Sequence, residues 1–212
     1  MKPFSKIAIL GGTGKSGKYL VQHLLNQGFQ LRLLLRNPET LTFNSPLIKV
    51  VSGDARNYES VQILLEGCQA VISTVGQPTG EPSIFSDATR NVIRAMAHWK
   101  IDRYISATGL NVDTPDDQKG EATQSATDWM RIHYPMTTAD KQTEYELLSA
   151  SSMNWTLVRL PMIEQTDERR PTLVSLVDCP GSLISATDLA HFLTESLSDP
   201  TYFKKAPFIA NG

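Results

Sequence analysis

The feature that most constrains the fold of this chain is an apolar segment that runs directly into a glycine-rich loop. The segment Ile7–Leu10 is typical of a buried strand, and Gly11, Gly14 and Gly17 follow it. Beyond the last glycine, apolar residues recur at helical spacing until Gly28. A strand that passes through such a loop into a helix presents backbone amides to an anion, because glycine allows close approach of a phosphate. The sequence therefore predicts that a nucleotide diphosphate binds in the first βα turn.

Beyond this unit, apolar segments of strand length alternate with amphipathic segments of helical spacing. Further strands are predicted at residues 31–36, 47–51, 70–76, 103–107, 154–159 and 172–177. Helices are predicted at about 59–65, 83–99, 138–149 and 187–197. Apolar strands that alternate with helices indicate a parallel sheet covered on both faces. We therefore expect one α/β domain over 1–212, a doubly wound parallel sheet with a small C-terminal appendage.

Residues 110–136 interrupt this alternation. The first part of the stretch is polar and acidic, and the second part carries Trp129, Met130, Ile132 and Tyr134. A long irregular stretch in a compact domain is often a functional lid. A partly helical surface excursion whose aromatic residues pack against the body is the alternative. We expect the substrate side to be formed by about 110–136 and 161–212.

Composition excludes several classes of function. A net charge of −2 gives no basis for attraction to nucleic acid or to an anionic membrane. No apolar run has the length of about 18 residues that spans a bilayer, and the strand pattern begins by residue 6, too early for a signal peptide. The two cysteines and four histidines show no ligand spacing, so no metal site is expected. We predict a cytoplasmic protein, a monomer or small homo-oligomer whose partner is a small molecule.

Two kinds of phosphate loop are compatible with the segment Gly12–Ser16. The phosphate loop of NTPases requires a glycine where this chain has Ile9, inside the strand, so no loop remains to wrap a β-phosphate. The spacing Gly-x-x-Gly-x-x-Gly between a strand and a helix instead favours a dinucleotide site.

The end of the second strand indicates which dinucleotide is bound. Sites that prefer NAD place an acidic residue there to bind the ribose 2′-hydroxyl, whereas this chain has Arg36. A guanidinium can hold a 2′-phosphate with two hydrogen bonds, and Lys15 adds a second positive charge nearby. Arg36 as a solvated charge at the end of a strand is the alternative. The pattern favours NADP(H) over NAD(H).

Seven motifs, in order along the chain, resemble the atypical branch of the short-chain dehydrogenase/reductase superfamily. The resemblance is to the NAD(P)H-binding group that contains biliverdin reductase B, a flavin reductase, and the NmrA-like proteins. The motifs are Gly11–Gly17, Leu35–Asn37, Gly53–Ala55, Thr89–Ile93, Ile105–Gly109, Trp155–Arg159 with Pro161, and Ile184–Ala190. This resemblance implies a Rossmann fold that binds NADP(H).

The resemblance also implies roles for individual residues. Those expected to hold the pyrophosphate and adjoining ribose are Gly11, Thr13, Gly14, Lys15, Ser16 and Gly17. Those expected around the 2′-phosphate and adenine are Arg36, Asp54 and Ala55. Those expected to line the cofactor beyond the fourth strand are Thr74, Val75 and Gly76. Those expected at the nicotinamide are Ser106, Ala107, Thr108 and Pro161, while Lys141 corresponds to the superfamily lysine that binds the ribose. The candidate catalytic residues are Ser106, Thr108 and Lys141.

One departure from the superfamily concerns catalysis. Enzymes that act on alcohols and ketones use Tyr-x-x-x-Lys, and here Lys141 fits the lysine while Thr137 replaces the tyrosine. A threonine hydroxyl is a poor proton donor, and Thr137 is predicted to cap a helix together with Asp140. Tyr145 and Tyr134 are alternative acids. The Thr108 hydroxyl can orient a substrate carbonyl or bond its own backbone.

Three functions fit these residues to different degrees. An NADPH-dependent reductase of a flavin, quinone or similar conjugated acceptor does not require the tyrosine, because hydride transfer is mainly a matter of positioning. A non-catalytic NADP(H)-binding sensor of the NmrA-like type is the alternative. A sugar-nucleotide epimerase or dehydratase is disfavoured, since only 51 residues follow Pro161 in the 212-residue chain.

Overall fold

A computed structural model, which describes residues 4–212, arranges most of the predicted strands in one sheet. The strands are β1 (Lys6–Leu10), β2 (Gln30–Leu35), β3 (Ile48–Ser52), β4 (Ala70–Ser73), β5 (Arg103–Gly109), β6 (Asn154–Leu160), β7 (Met162–Glu164), β8 (Thr172–Ser175), β9 (Leu183–Ser185) and β10 (Phe208–Asn211). The α-helices are α1 (Gly17–Asn26), α2 (Tyr58–Leu65), α3 (Phe85–Trp99), α4 (Glu121–His133), α5 (Pro135–Ser149) and α6 (Ala186–Glu195). Single 3₁₀ turns lie at Pro38–Thr40 and Pro200–Tyr202.

The main sheet reverses its direction of winding beside β1. Its strand order is β3-β2-β1-β4-β5-β6-β10-β8, and the pairings are parallel except that of β10 with β8. In doubly wound sheets ligands bind at such a reversal, in the crevice outside the carboxyl ends of the strands. The predicted doubly wound Rossmann fold is confirmed. The sequence did not predict β7 and β9, which form a separate parallel pair.

Helices cover the sheet on both faces because the strand residues alternate between two cores. Along β1, Ala8 and Leu10 face the core under α2, α3 and α5, whereas Ile7 and Ile9 face the core under α1 and α6. Each of these four side chains is at most 1% exposed. The burial of both faces explains why the strands are continuous apolar runs.

The stretch predicted to be irregular, 110–136, contains the whole of α4. The alternative of a partly helical excursion is therefore correct about the helix, but Trp129 and Tyr134 are each 51% exposed, so its expectation that the aromatic residues pack against the body is wrong. Ile132 is 74% exposed. The buried residues of α4 are Thr123 and Thr127. Because the residues that face inward are polar, the sequence shows no helical periodicity of apolar residues in this stretch.

The predicted cap at Thr137 is wrong. Helix α5 begins earlier, at Pro135 with Tyr134 as its N-cap residue. The Asp140 carboxylate serves a different helix, because its Oδ2 accepts hydrogen bonds from Ser83 Oγ (2.6 Å) and from the amide of Phe85 (2.8 Å). A carboxylate at that position stabilises the N-terminus of α3. Among residues 4–212, no helix combines the length and apolar character needed to cross a membrane.

Candidate functional site

Two adjoining cavities lie over the carboxyl ends of the parallel strands. Their volumes are about 380 and 450 Å³, and both are lined by Gly14, Val75 and Gly76. The first extends over the ends of β1, β2 and β3, and the second over the ends of β4, β5 and β6. We call the two together the trough. An elongated ligand that crosses the reversal of the sheet fits its position.

The glycine loop at the centre of the trough has no room for a side chain at Gly11 or Gly17. Gly11 has φ +76°, and its carbonyl oxygen accepts a hydrogen bond from the amide of Gly14 at 3.0 Å. A Cβ atom on Gly17 would lie 2.0 Å from that same oxygen. Within the part of the chain that the structure describes, no side chain caps the N-terminus of α1. The amides of Lys18 and Tyr19 bond to the carbonyl oxygens of Gly14 and Ser16, whereas those of Ser16 and Gly17 have no partner among the described residues and are available to an anion.

The first cavity contains the residues expected around adenosine. Arg36, Asp54 and Ala55 line it, beside Thr13 and Gly11 of the loop. The Asp54 carboxylate already accepts a hydrogen bond from the amide of Arg56 at 2.8 Å. Arg36 is about half exposed, yet it is not simply solvated: its Nη1 lies 2.6 Å from Oε1 of Glu81. Its hydrogen bond with Glu81 raises the pKa of the Arg36 guanidinium.

The second cavity contains most of the residues expected at the nicotinamide. Its lining includes the predicted residues Lys15, Ser16, Thr74, Ala107, Thr108, Lys141 and Pro161. Thr108 is 5% exposed, and its hydroxyl has no hydrogen-bond partner among the described residues. The expectation that it bonds its own backbone is therefore wrong. A buried hydroxyl without a protein partner calls for an explanation, and a ligand in the cavity that Thr108 lines is one.

The structure does not bring Ser106 or the alternative tyrosines into the trough. Ser106 is 2% exposed and its hydroxyl donates to Glu144 at 2.8 Å, so it lies below the floor and not at the nicotinamide position. Tyr145 packs edge-on against Trp155 at a centroid distance of 6.1 Å. Among the described residues, the lining of the second cavity includes neither Tyr134 nor Tyr145. Nothing in this arrangement substitutes for the missing tyrosine.

Lys141 is accompanied by a buried acid that sequence reasoning missed. Glu144 lies one helical turn further along α5, is 2% exposed, and accepts hydrogen bonds from Thr89 and Ser106 through Oε1. Its Oε2 has no partner among residues 4–212. Burial raises the pKa of the Glu144 carboxyl from 4.5 to about 7 and lowers that of the Lys141 ammonium. The signal available in the sequence was the helical spacing of Glu144 from the core residue Leu148.

Replacement of Glu144 by glutamine is expected to change how stability depends on pH. The folded state holds the Glu144 proton more tightly than the unfolded chain does. Wild-type stability should therefore fall as pH rises from about 4.5 to about 7, and then level off. A pKa displacement of that size is equivalent to about 3 kcal/mol at most. Glutamine does not ionise, so the variant should lose this dependence and become relatively more stable at neutral pH.

Thermal unfolding of both proteins between about pH 5 and pH 8 measures this effect. The control is Glu146→Gln, which removes an exposed carboxyl from the same helix. Lys141 and Asp140 of α5 and Tyr104 of β5 also act on the Glu144 carboxyl, and all three are unchanged in both variants. Parallel pH profiles for wild type and Glu144→Gln would show that the carboxyl keeps an ordinary pKa.

The described residues include no group of three or more histidine, cysteine, aspartate or glutamate side chains that could hold a metal ion. The residues present fit a nucleotide cofactor: the amides of Ser16 and Gly17 have no partner among the described residues, and Thr108, in the lining of the second cavity, carries an unpartnered hydroxyl. A reduced nicotinamide supplies hydride when bound at such a site.

Among curated proteins, this chain is similar to two longer ones. It is 28% identical over 159 residues to the photosystem II assembly factor Ycf39 of Cyanophora paradoxa, a match covering 73% of this chain and 44% of that protein. It is 38% identical over 120 residues to the isoflavone reductase homolog A622-like of Nicotiana tabacum, covering 51% of this chain and 37% of that protein. The matched part of this chain thus spans less than half the length of either relative.

Solved structures show the same fold. ChuY of Escherichia coli O157:H7, described as an anaerobillin reductase, superposes with a TM-score of 0.82 at 17% identity, covering 98% of this chain and 97% of that one. A short-chain dehydrogenase/reductase of Veillonella parvula DSM 2008, in complex with NADP, gives a TM-score of 0.77 at 14% identity and covers 98% and 95%. A family model described as NAD(P)H-binding matches residues 11–200, from the glycine loop past α6. This match shows that the chain belongs to the NAD(P)H-binding family.

Proposed function

We propose that this protein is an NADPH-dependent reductase of a small conjugated acceptor, of the flavin or quinone class. The observation that carries the proposal is the pair formed by the unpartnered Thr108 hydroxyl and the Lys141 ammonium at the wall of the second cavity. Both residues line the cavity in which a nicotinamide and its acceptor would meet. The Thr108 hydroxyl has no protein partner and Lys141 Nζ lies 4.9 Å from the centroid of the Phe85 ring, and a hydroxyl and an ammonium both stabilise negative charge on an acceptor oxygen or nitrogen.

The rest of the second cavity suits a flat, apolar acceptor. Phe85, Leu160, Pro161 and Ile163 supply apolar lining, and the neighbouring Met162 is 72% exposed at the rim. Hydride transfer needs the donor carbon and the acceptor atom held face to face, so an apolar wall that orients a planar ring contributes directly to rate. A quinone or flavin takes up one hydride and one proton from water, which removes the need for a tyrosine acid.

Preference for NADPH over NADH belongs to the same proposal. Arg36 lines the first cavity at the end of β2, where NAD sites carry an acidic residue. The complex of a structural neighbour with NADP and the reductase description of ChuY support the proposal without fixing the acceptor of this chain.

The test is oxidation of NADPH followed at 340 nm with a panel of FMN, quinones and linear tetrapyrroles. We expect turnover with at least one acceptor, and kcat/KM with NADPH about tenfold or more above that with NADH.

Thr108→Val should lower kcat about tenfold while thermal stability stays unchanged or rises, because valine replaces a buried hydroxyl that has no protein partner. The matched control Thr143→Val changes a partly buried threonine of α5 away from the trough.

The second candidate is a non-catalytic NADP(H)-binding sensor. It is favoured by the apolar surface at the junction of α4 and α5, where Trp129, Ile132, Tyr134 and Met136 are between 51% and 78% exposed. Exposed apolar groups of this size are typical of protein-binding surfaces. Tight NADPH binding with no turnover across the acceptor panel would reject the reductase and select the sensor.

A further inference from the structure

An acidic side chain occupies the space between two arginines at the adenosine end of the trough. Oε1 of Glu81 lies 2.6 Å from Nη1 of Arg36, and its Oε2 lies 3.0 Å from Nη1 of Arg56. A second nitrogen of Arg56 donates to the carbonyl oxygen of Pro82 at 2.6 Å. Each carboxylate oxygen therefore bonds a different guanidinium. A phosphate with oxygens in similar positions would be recognised by the same two groups.

The backbone around Glu81 holds its carboxylate in this place. Gly80, directly before Glu81, adopts φ +74°, a left-handed conformation that favours glycine. The side-chain amide of Gln77 donates to the carbonyl oxygens of Pro78 and Glu81 at 3.0 and 2.9 Å. This segment, 77–82, follows β4 and precedes α3, and its Pro78 lines the first cavity. The Glu81 carboxylate is thus presented by a short, internally bonded loop and not by a mobile side chain alone.

The charges of this cluster balance. Arg36 and Arg56 contribute two positive charges, and Glu81 and Asp54 contribute two negative ones, with Asp54 Oδ2 at 4.0 Å from Arg56. A 2′-phosphate adds about two further negative charges. While the Glu81 carboxylate stays between the two arginines, it repels that phosphate. When the carboxylate moves away, the two positive charges of Arg36 and Arg56 face only the one negative charge of Asp54. The 2′-hydroxyl of NADH meets no such repulsion and can donate to the carboxylate.

We infer that Glu81 is an internal competitor of the 2′-phosphate, so that Arg36, Arg56 and Glu81 together set the preference between NADPH and NADH. The inference rests on the proposed binding of NADPH in the trough and goes beyond it in two respects. It assigns Arg56 as the second arm of the phosphate clamp, and it assigns to Glu81 a discrimination against NADPH. Binding of the 2′-phosphate then requires the 77–82 loop to release its carboxylate.

The test measures dissociation constants of NADPH and NADH for wild type, Glu81→Gln, Arg56→Ala and Arg36→Ala by titration calorimetry. Glu81→Gln should tighten NADPH binding by about three- to tenfold and leave NADH within about twofold, since it removes one exposed ionic competitor. Arg56→Ala and Arg36→Ala should each weaken NADPH binding about tenfold and NADH far less. The fragments 2′,5′-ADP and 5′-AMP should repeat the contrast without the nicotinamide.

The matched control is Asp87→Asn, which removes one exposed carboxylate that is paired with Arg90 on α3. It changes net charge as Glu81→Gln does and should leave the ratio of the two affinities unchanged. An unchanged ratio in Glu81→Gln, with the expected loss in Arg36→Ala, would overturn the inference and leave the proposed NADPH preference standing. Unchanged ratios in all three trough variants would overturn both. Absence of NADPH binding to wild type would remove the proposed function itself.

Discussion

Gly17→Ala should weaken NADPH binding by roughly 100-fold or more, equivalent to about 3 kcal/mol of binding free energy. The added methyl group would lie 2.0 Å from the carbonyl oxygen of Gly11 and 2.9 Å from Cα of Gly12. Both neighbours are backbone atoms, so the glycine loop must open to accommodate it. Opening the loop moves the unpartnered amides of Ser16 and Gly17 away from the position in which they would meet a phosphate.

Titration of NADPH fluorescence measures this loss, and far-UV circular dichroism checks that the sheet and helices remain. The matched control is Gly28→Ala at the other end of α1, where φ is +77° and no atom lies within 4 Å of the added Cβ. That substitution should cost about 1 kcal/mol of folding stability and leave nucleotide affinity unchanged. A Gly17→Ala protein that binds NADPH as wild type does would show that the loop is not the phosphate site.

The sequence predicts the fold well where local patterns and tertiary environment agree. Strands buried on both faces are mostly apolar, and Ile7–Leu10 and Leu33–Leu35 show this directly. The reversal of winding beside β1 then places the glycine loop, Arg36 and Thr108 at one edge of the sheet. These site residues were predictable because topology alone brings the carboxyl ends of parallel strands together.

Prediction failed where a helix buries polar residues and exposes apolar ones. Helix α4 buries Thr123 and Thr127, while Trp129 and Ile132 face solvent, so its hydrophobic pattern does not indicate its inward face. The Thr127 hydroxyl donates to the carbonyl of Thr123 at 2.8 Å, which satisfies it inside the helix. Polar groups satisfied by their own backbone leave no periodic signal in a sequence.

Sequence reasoning did not identify Glu81 and Glu144, the two acidic residues next to the trough, for a different reason. Glu144 contacts Ser106 across 38 positions of sequence, and Glu81 contacts Arg36 across 45. Such pairs are set by how α5 and the 77–82 loop pack over the strand ends. Residue type and local spacing do not indicate that packing. The strand-end positions of the site are thus a local property of the sequence, whereas its charge balance is a property of the assembled fold.

Arg159→Met should destabilise the protein by about 3 to 5 kcal/mol, the usual cost of breaking a buried ion pair by removing one partner. The Arg159 side chain is fully buried, and its Nη1 lies 2.7 Å from both carboxylate oxygens of Asp117. It also donates to the carbonyl oxygens of Val112, Leu176 and Ala206 and stacks on the Phe208 ring at 3.5 Å. One guanidinium therefore joins β6, β10 and three connecting segments.

Thermal unfolding should show a Tm lower by roughly 10 °C for Arg159→Met. Arg90→Ala, which breaks an exposed pair with Asp87, should cost less than about 1 kcal/mol of folding stability.

The double variant Arg159→Met, Asp117→Asn distinguishes the two parts of the loss of stability. If the Asp117 carboxylate, left with Thr114 and Lys119 as its partners, is the main cost, the double variant is more stable than Arg159→Met alone. If the lost carbonyl contacts dominate, the second substitution restores nothing, and Arg159 acts chiefly as a hydrogen-bonding link between segments. Since Leu160 and Pro161 follow directly and line the second cavity, the first outcome also predicts that nucleotide affinity recovers with stability.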